Sequence, residues 1–438
     1  MKITVIGTGY VGLVSGVCFA KIGHQVICVD KIADKINKLK NGQIPIYEPG
    51  LKEILDAQVA DNKISFTTDL KNAVKESQVI FIAVGTPQDE KDGSADLSFV
   101  YQVAEEIAAF TNQYKVIVTK STVPVGTGEK ISVTIKKNNP NAKFDIASNP
   151  EFLREGAAIN DFLNPERVVI GADSTKAREL MAAVYAPLSE KSVPIIYTDV
   201  TTAELIKYAA NSFLATKVAF INEMADLCEK TGGNIKDLSK AIGMDSRIGN
   251  KFLNPGPGIG GSCFPKDILA LSNIAKINNS KLSIVNAVIS SNNQRKSDMV
   301  TKIVNAVSGN IKDKVITILG LAFKAETDDV RYSPALFIIK ELVKKGAIIK
   351  AYDPQANSNT KKELGSSPQI NYYQNPYQAA QDSNALVIVT EWQEFLNLDL
   401  IKLKQLQKTP LIVDLRNIFD IEQIKKAGFN YHFVGGKI

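Results

Sequence analysis

Two histidines and four cysteines are all that the 438 residues provide for zinc or a disulfide framework. The cysteines are Cys18, Cys28, Cys228 and Cys263. No CxxC pair occurs among them, so the sequence argues against both a structural metal site and a stapled secreted fold. Cysteine usage of this kind suits a reducing compartment, and a cytoplasmic location is expected. Met1-Lys2 runs straight into the apolar stretch Ile3–Ile6, so no signal peptide is expected. No apolar run approaches the roughly 20 residues of a membrane helix, so no membrane partner is expected. The formal net charge of +6 is spread along the chain, with no dense Lys/Arg block. That distribution disfavours nucleic acid as a partner and leaves a weak preference for small anions. Internal repeats of fixed short period and low-complexity tails are also missing. Trp392, the single tryptophan, reads as a packing residue.

What remains is ordinary for a globular protein: 45% apolar and 22% charged residues, enough chain for two or three domains. Short Val/Ile-rich strands are expected at Lys2–Ile6, Gln25–Val29, Val79–Val84, Val116–Thr119, Phe144–Ala147 and Arg167–Ile170. Helical or mixed segments separate them, the pattern of a parallel sheet covered on both faces. From Thr201 to about Glu229 apolar residues recur at helical spacing without proline or glycine, which predicts one long helix. Further helices follow to about Val307, interrupted by the Pro/Gly-rich stretch Asn254–Gly261. A second strand–helix series is expected at Val315–Leu319, Ile348–Tyr352, Leu386–Val389, Leu411–Val413 and Tyr431–Val434. The fold class is therefore α/β: two Rossmann-like parallel-sheet domains, residues 1–200 and 308–438, joined by a helical middle domain, 201–307, with a long central helix.

Gly7-Thr8-Gly9-Tyr10-Val11-Gly12 follows the first strand and opens an apolar helix. Such glycines permit a tight turn and close approach of a pyrophosphate to a helix N-terminus. Asp30 ends the second strand where an acid that binds the adenosine ribose belongs, which favours NAD over NADP. Lys31 and Lys35 weaken that preference, and a solvated turn residue is the plainer reading of Asp30. Three later strands end in small polar groups on the edge where open sheets bind ligands: Gly85-Thr86-Pro87, Ser121-Thr122-Val123-Pro124 and Ser148-Asn149-Pro150-Glu151. Each is equally ordinary turn chemistry when taken alone. Glu151 and Glu155 share a face if Phe152–Gly156 is helical, and one could serve as a base towards water. A solvated acidic helix start is the alternative. On the long helix Lys207 and Asn211 lie four apart, a pair able to hold an oxyanion unless the lysine snorkels to the surface.

Gly258–Asp267 places Cys263 at the end of a glycine-rich loop, with Pro265 suited to the first turn of a helix. Helix-end N–H groups and Lys266 would favour a thiolate there, so Cys263 reads as a nucleophile. Asp267 would lie one turn on. A hydride-accepting cofactor combined with a thiol that can trap a carbonyl suggests oxidation past the aldehyde.

These blocks resemble the UDP-glucose/GDP-mannose dehydrogenase family. The resemblance rests on Gly7–Gly12, Ser121–Thr127, Asn149–Gly156, Gly260–Asp267, Gly320–Lys324 and Thr327–Arg331, and it covers essentially the whole chain. It implies a four-electron oxidation of a sugar nucleotide's primary alcohol to a carboxylate with two NAD in turn. UDP-glucose is the favoured substrate over GDP-mannose or N-acetylated UDP sugars. By the resemblance, Cys263 would attack the intermediate aldehyde, giving a thiohemiacetal and then a thioester. Thr122 and Asp267 would position water, Glu151 would act as base, and Lys207 and Asn211 would steady the negative oxygen. Val11, Asp30, Lys35, Thr86, Thr122, Glu155, Lys266 and Arg331 would contact NAD beside Gly7, Gly9, Tyr10 and Gly12. The UDP-sugar would be held by Glu151, Phe152, Leu153, Arg154, Glu155, Lys207, Asn211 and Lys324. Gly260 and the loop Phe252-Leu253-Asn254-Pro255-Gly256 would complete that set. Arg247 would reach the sugar site of a neighbouring subunit, in a homodimer paired through the long helix.

Two rival functions stay open on the sequence. A two-electron hydroxyacid dehydrogenase would need no thiol at Cys263, and a NAD-binding scaffold would need no nucleophile at all.

Overall fold

The computed structural model describes residues 1–89 and 93–436. It divides into two compact units, Met1–Ala210 with Asn273–Asn279, and Asn211–Ser272 with Ser280–Ile438.

The first unit carries eight strands: β1 (Lys2–Ile6), β2 (Gln25–Val29), β3 (Ile64–Thr67), β4 (Val79–Ile82), β5 (Lys115–Thr119), β6 (Phe144–Ser148), β7 (Val168–Ala172) and β8 (Ile195–Thr198). Their order is β3-β2-β1-β4-β5-β6-β7-β8. The inner strands follow from period-2 burial on both faces. Val79 and Phe81 of β4 join one apolar cluster with Ile3, Val5 and Phe19, while Ile80 and Ile82 join another with Ile117 and Ile135. β1 lies between β2 and β4, so the strand order reverses there and opens a crevice at the strands' carboxyl ends.

One junction is not parallel. Ala147 of β6 faces Ala172 of β7 in antiparallel register. The helix in this connection, Ala158–Leu163, has six residues.

The second unit holds a six-stranded, all-parallel sheet. Its strands are β9 (Val315–Leu319), β10 (Ile348–Tyr352), β11 (Ile370–Tyr372), β12 (Ala385–Ile388), β13 (Leu411–Asp414) and β14 (Asn430–Phe433), in the order β11-β10-β9-β12-β13-β14. Trp392 packs in its core and donates its indole N–H to Asp353 at 3.0 Å. The expected long helix is present as Val200–Thr231, 32 residues. The division between the units falls within it, at Ala210 and Asn211. Helix Ser283–Ala306 lies wholly in the second unit, and Phe264–Ile277 does so up to Ser272. Among the described residues no helix is long and apolar enough to cross a membrane, and no cluster of metal-ligating side chains occurs.

Candidate active site

The glycine turn after β1 is shaped by close backbone approach. Gly7 sits at φ +98°, and a Cβ there would stand 2.6 Å from the Ala83 carbonyl oxygen. A Cβ on Gly12 would meet the Gly7 carbonyl oxygen at 1.9 Å. Gly9 has open space before it, and its carbonyl accepts the first bond of the helix Tyr10–Lys21 from Leu13. The turn therefore offers helix-end N–H groups to a ligand that can come close. A cleft of about 280 Å³ opens there, lined by Gly7, Gly9, Asp30, Lys35, Val84 and Gly85 among others. Asp30 accepts from the Thr8 amide (3.0 Å) and hydroxyl (2.7 Å), from the Ile32 amide (3.1 Å) and from Lys35 (2.9 Å). Burial alone would raise the Asp30 carboxyl, but those donors outweigh it and hold it at about 2. An anionic acid on the rim of a glycine-turn cleft fits the ribose and pyrophosphate of a dinucleotide.

The three polar strand ends lie side by side, because β4, β5 and β6 are neighbours in the sheet. The Thr86 hydroxyl donates to the Thr122 carbonyl at 3.0 Å, and the Ser121 hydroxyl to that of Val84 at 2.6 Å. The Asn149 backbone N–H donates to the Thr119 carbonyl at 2.9 Å.

Phe152–Gly156 is not helical, so the expected shared face of Glu151 and Glu155 is not formed. The segment's N–H groups go to carboxylates instead of helix carbonyls. Leu153 donates to Glu151 at 2.6 Å, and Gly156 and Ala158 each donate to Glu48 at 2.7 Å. Arg154 pairs with Asp161, and Glu155 is half-buried. Tyr10 joins this cluster, its hydroxyl bonded to Glu48 and accepting from the Gly156 amide. Glu48 thus ties the glycine turn to the segment after Glu151. Lys207 does not snorkel: it is buried and pairs with buried Glu151 at 3.1 Å. Phe152 lies beneath both Arg167 (3.9 Å to the ring centre) and Lys207 (5.4 Å).

In the second unit Cys263 precedes the helix Phe264–Ile277, and its carbonyl accepts from the Asp267 amide at 2.9 Å. The sulfur-bearing residue is therefore the helix's N-terminal cap position, with the Ser262 hydroxyl 3.6 Å from the sulfur. Asp267 is buried, accepting from the Asn211 side-chain amide at 2.6 Å and from Lys266 at 2.6 Å. No disulfide involves any of the four cysteines. Burial pushes the Cys18 and Cys28 thiols up to about 12, which keeps them protonated.

The loop Phe252–Gly256 is held from two helices. Asn222 accepts from the Gly256 amide at 2.8 Å, and Arg295 donates to the Gly256 carbonyl at 2.9 Å. Phe252, at φ 65°, stacks on Phe264 with ring centres 5.9 Å apart, while Leu253 and Pro255 are buried and Asn254 is exposed. A Cβ on Gly260 would stand 2.8 Å from the Tyr332 carbonyl oxygen. Lys324 lies over Phe323 at 5.7 Å, and Arg331 makes a two-armed bond to Asp329. Arg247 is largely exposed and pairs with Asp245 in its own loop. Arg416, at the end of β13, bonds the carbonyls of Val389 and Phe323 and pairs with Glu391 at 3.0 Å.

Sequence reasoning missed Glu48, Lys120 and Glu204. Each is a charged residue buried by partners distant in the chain. Glu204 accepts from the Gly126 amide (2.7 Å) and Gly128 amide (2.8 Å), gripping the start of the helix Thr127–Asn138 just beyond Thr122.

Three family models match this chain. Residues 1–189 match the NAD binding domain, 201–294 the central domain, and 317–421 the UDP binding domain of the UDP-glucose/GDP-mannose dehydrogenase family. A UDP-glucose 6-dehydrogenase of Rhizobium meliloti is 52% identical over 437 residues, covering 99% of both chains. UDP-glucose 6-dehydrogenase TuaD of Bacillus subtilis is 48% identical, covering 99% of this chain and 93% of its own. Among solved structures, a UDP-glucose dehydrogenase from Pyrobaculum islandicum is 34% identical with a TM-score of 0.91, covering 100% of this chain and 98% of its own. The chain belongs to the UDP-glucose/GDP-mannose dehydrogenase family.

Proposed function

We propose that this protein is a cytoplasmic NAD-dependent UDP-glucose 6-dehydrogenase, converting UDP-glucose to UDP-glucuronate. The observation that carries the reading is Cys263 at a helix N-terminus with buried Asp267 one turn on. Full-length identity to relatives of that name supports the choice of sugar.

Gly7, Gly9, Tyr10, Val11, Gly12, Asp30, Lys35 and Thr86, with Thr122, Glu155, Lys266 and Arg331, would hold NAD, which would accept a hydride in each of two rounds. After the first oxidation the Cys263 sulfur bonds the aldehyde carbon, giving a thiohemiacetal. The second oxidation leaves a thioester on the same sulfur. Glu151 takes a proton from water, the water oxygen adds to the acyl carbon, and the C–S bond breaks to return the thiol. Thr122 and Asp267 position that water. Lys207 by charge and Asn211 by its amide steady the oxygen that becomes negative. The balance is alcohol, water and two NAD⁺ to carboxylic acid, two NADH and two protons.

The UDP-sugar is assigned to the segment Glu151–Glu155, Lys207, Asn211, the loop Phe252–Gly256, Gly260 and Lys324. Phe213, Phe220 and Leu227 stand 68%, 49% and 50% exposed at seven-residue spacing on the long helix. An unpartnered apolar stripe of that period supports a homodimer, with Arg247 reaching the partner's sugar.

Purified protein with NAD and a panel of UDP-glucose, GDP-mannose and UDP-N-acetylmannosamine tests the reading. Two NADH per UDP-glucose consumed is expected. One NADH per product, or preference for another sugar nucleotide, contradicts it.

A further inference from the structure

The first unit buries a second lysine beside the Glu151–Lys207 pair, one for which the steps above have no task. Lys120 follows β5 directly and is 5% exposed. Its ammonium nitrogen donates to the Asn149 side-chain oxygen at 3.0 Å and stands 3.5 Å from the Tyr185 hydroxyl. The same Asn149 oxygen accepts from Tyr185, and the Asn149 amide donates to the Val169 carbonyl at 2.8 Å. Two residues beyond Lys120 lies Thr122, and two beyond Asn149 lies Glu151. The Lys120–Asn149 bond therefore joins the two strand ends to which water positioning and proton removal are assigned.

Charge reaches the same place. Among the described residues the titratable groups facing Lys120 are Glu151 after β6, Lys207 on the long helix and Tyr185 on the helix Thr175–Ser189. Burial pushes the Lys120 ammonium down to about 7, with the Glu151 charge opposing that fall and Lys207 adding to it. Burial also raises the Tyr185 phenol well above its usual range, so it stays neutral.

We propose that Lys120 is a positioning residue for thioester hydrolysis: it fixes the strand ends bearing Thr122 and Glu151, and its own proton changes the charge next to the Glu151–Lys207 pair. This rests on Glu151 acting as the base. Protonated, Lys120 adds a second positive charge beside the Glu151–Lys207 pair, which opposes the arrival of a further proton there. Neutral, it leaves Lys207 as the cation paired with Glu151, and hydrolysis quickens.

The test is kcat for UDP-glucose and NAD across pH 5.5 to 9 in wild type, Lys120→Met and Lys120→Arg. Wild type should show a rising step near neutrality. Lys120→Met should lose the step and run about tenfold slower at pH 8, since the Asn149 oxygen loses its amine donor and the two strand ends lose their tie. Lys120→Arg keeps a donor with a permanent charge and should hold the acid-side rate throughout. KM should stay within about twofold in both, because neither touches the nucleotide. A step retained unchanged in both variants overturns the proposal while sparing the functional reading. No NADH from wild type at any pH overturns the functional reading and the role of Lys120 with it. Thermal unfolding gives a readout free of turnover. Between pH 7 and about 10 a neutral buried amine faces a charged unfolded one, so wild-type Tm should climb relative to that of Lys120→Met. Parallel Tm curves would overturn the burial argument.

Discussion

The Asp267 carboxylate takes the side-chain amide N–H of Asn211 at 2.6 Å, joining the long helix to the helix that begins at Cys263. Lys266 bonds its other oxygen at 2.6 Å. A buried carboxylate is tolerable only when such donors replace water. Asn211→Leu keeps the volume and removes one donor. It should cost about 1–3 kcal/mol in urea unfolding and slow turnover as well. Unchanged stability would mean that the bond contributes nothing.

Asp30 tests the cofactor crevice. Its charge is held by Thr8, Ile32 and Lys35, so Asp30→Asn should leave the turn largely in place while removing the repulsion of a 2′-phosphate. NAD affinity should fall about tenfold, and discrimination against NADP should narrow. Binding titrations with both dinucleotides check this. Unaltered NAD affinity would remove Asp30 from the ribose site.

Glu204 gives a pH dependence of stability. Burial raises its carboxyl to about 7, against the lowering by the Gly128 and Gly126 amides. Between about 4.5 and 7 the folded group keeps its proton while the unfolded one has lost it, so stability from this group falls as pH rises across that window. Glu204→Gln cannot titrate and should flatten the Tm-versus-pH curve there. An identical slope in the variant contradicts the assignment.

These three sites differ in how far the sequence revealed them. Gly7–Gly12 and Cys263–Asp267 were readable because their chemistry is local, a turn and one helical turn. Glu48, Lys120 and Glu204 were not. Their partners lie 108, 29 and 76 residues away, and spacing along the chain carries no trace of such pairs. A charged residue inside an otherwise apolar run, as in Ala203-Glu204-Leu205, was the only signal. The sheets show the same division. β4 and β5 are buried throughout and read plainly as Val/Ile runs. β3, β8 and β11 are sheet edges, short and partly exposed, and none of them is buried throughout. The long helix emerged almost to the residue because 32 positions without proline or glycine leave little else to form.

The exposed stripe on that helix tests the proposed homodimer. Phe213→Asp with Phe220→Asp places charge where a second copy would bury apolar surface. Light scattering should show a wild-type dimer and a variant of half its mass. A wild-type monomer, or a dimer indifferent to both changes, would place the interface elsewhere.

Cys263 is proposed to carry the acyl group between two oxidations. Slowing hydrolysis with Glu151→Gln, supplying UDP-glucose and NAD, and quenching in acid allows peptide mass spectrometry of the result. A UDP-glucuronyl thioester is expected on the peptide containing Cys263 and should be absent from Cys263→Ser. Acid formation by Cys263→Ser at the wild-type rate, or an adduct on Cys18, Cys28 or Cys228 instead, would contradict it.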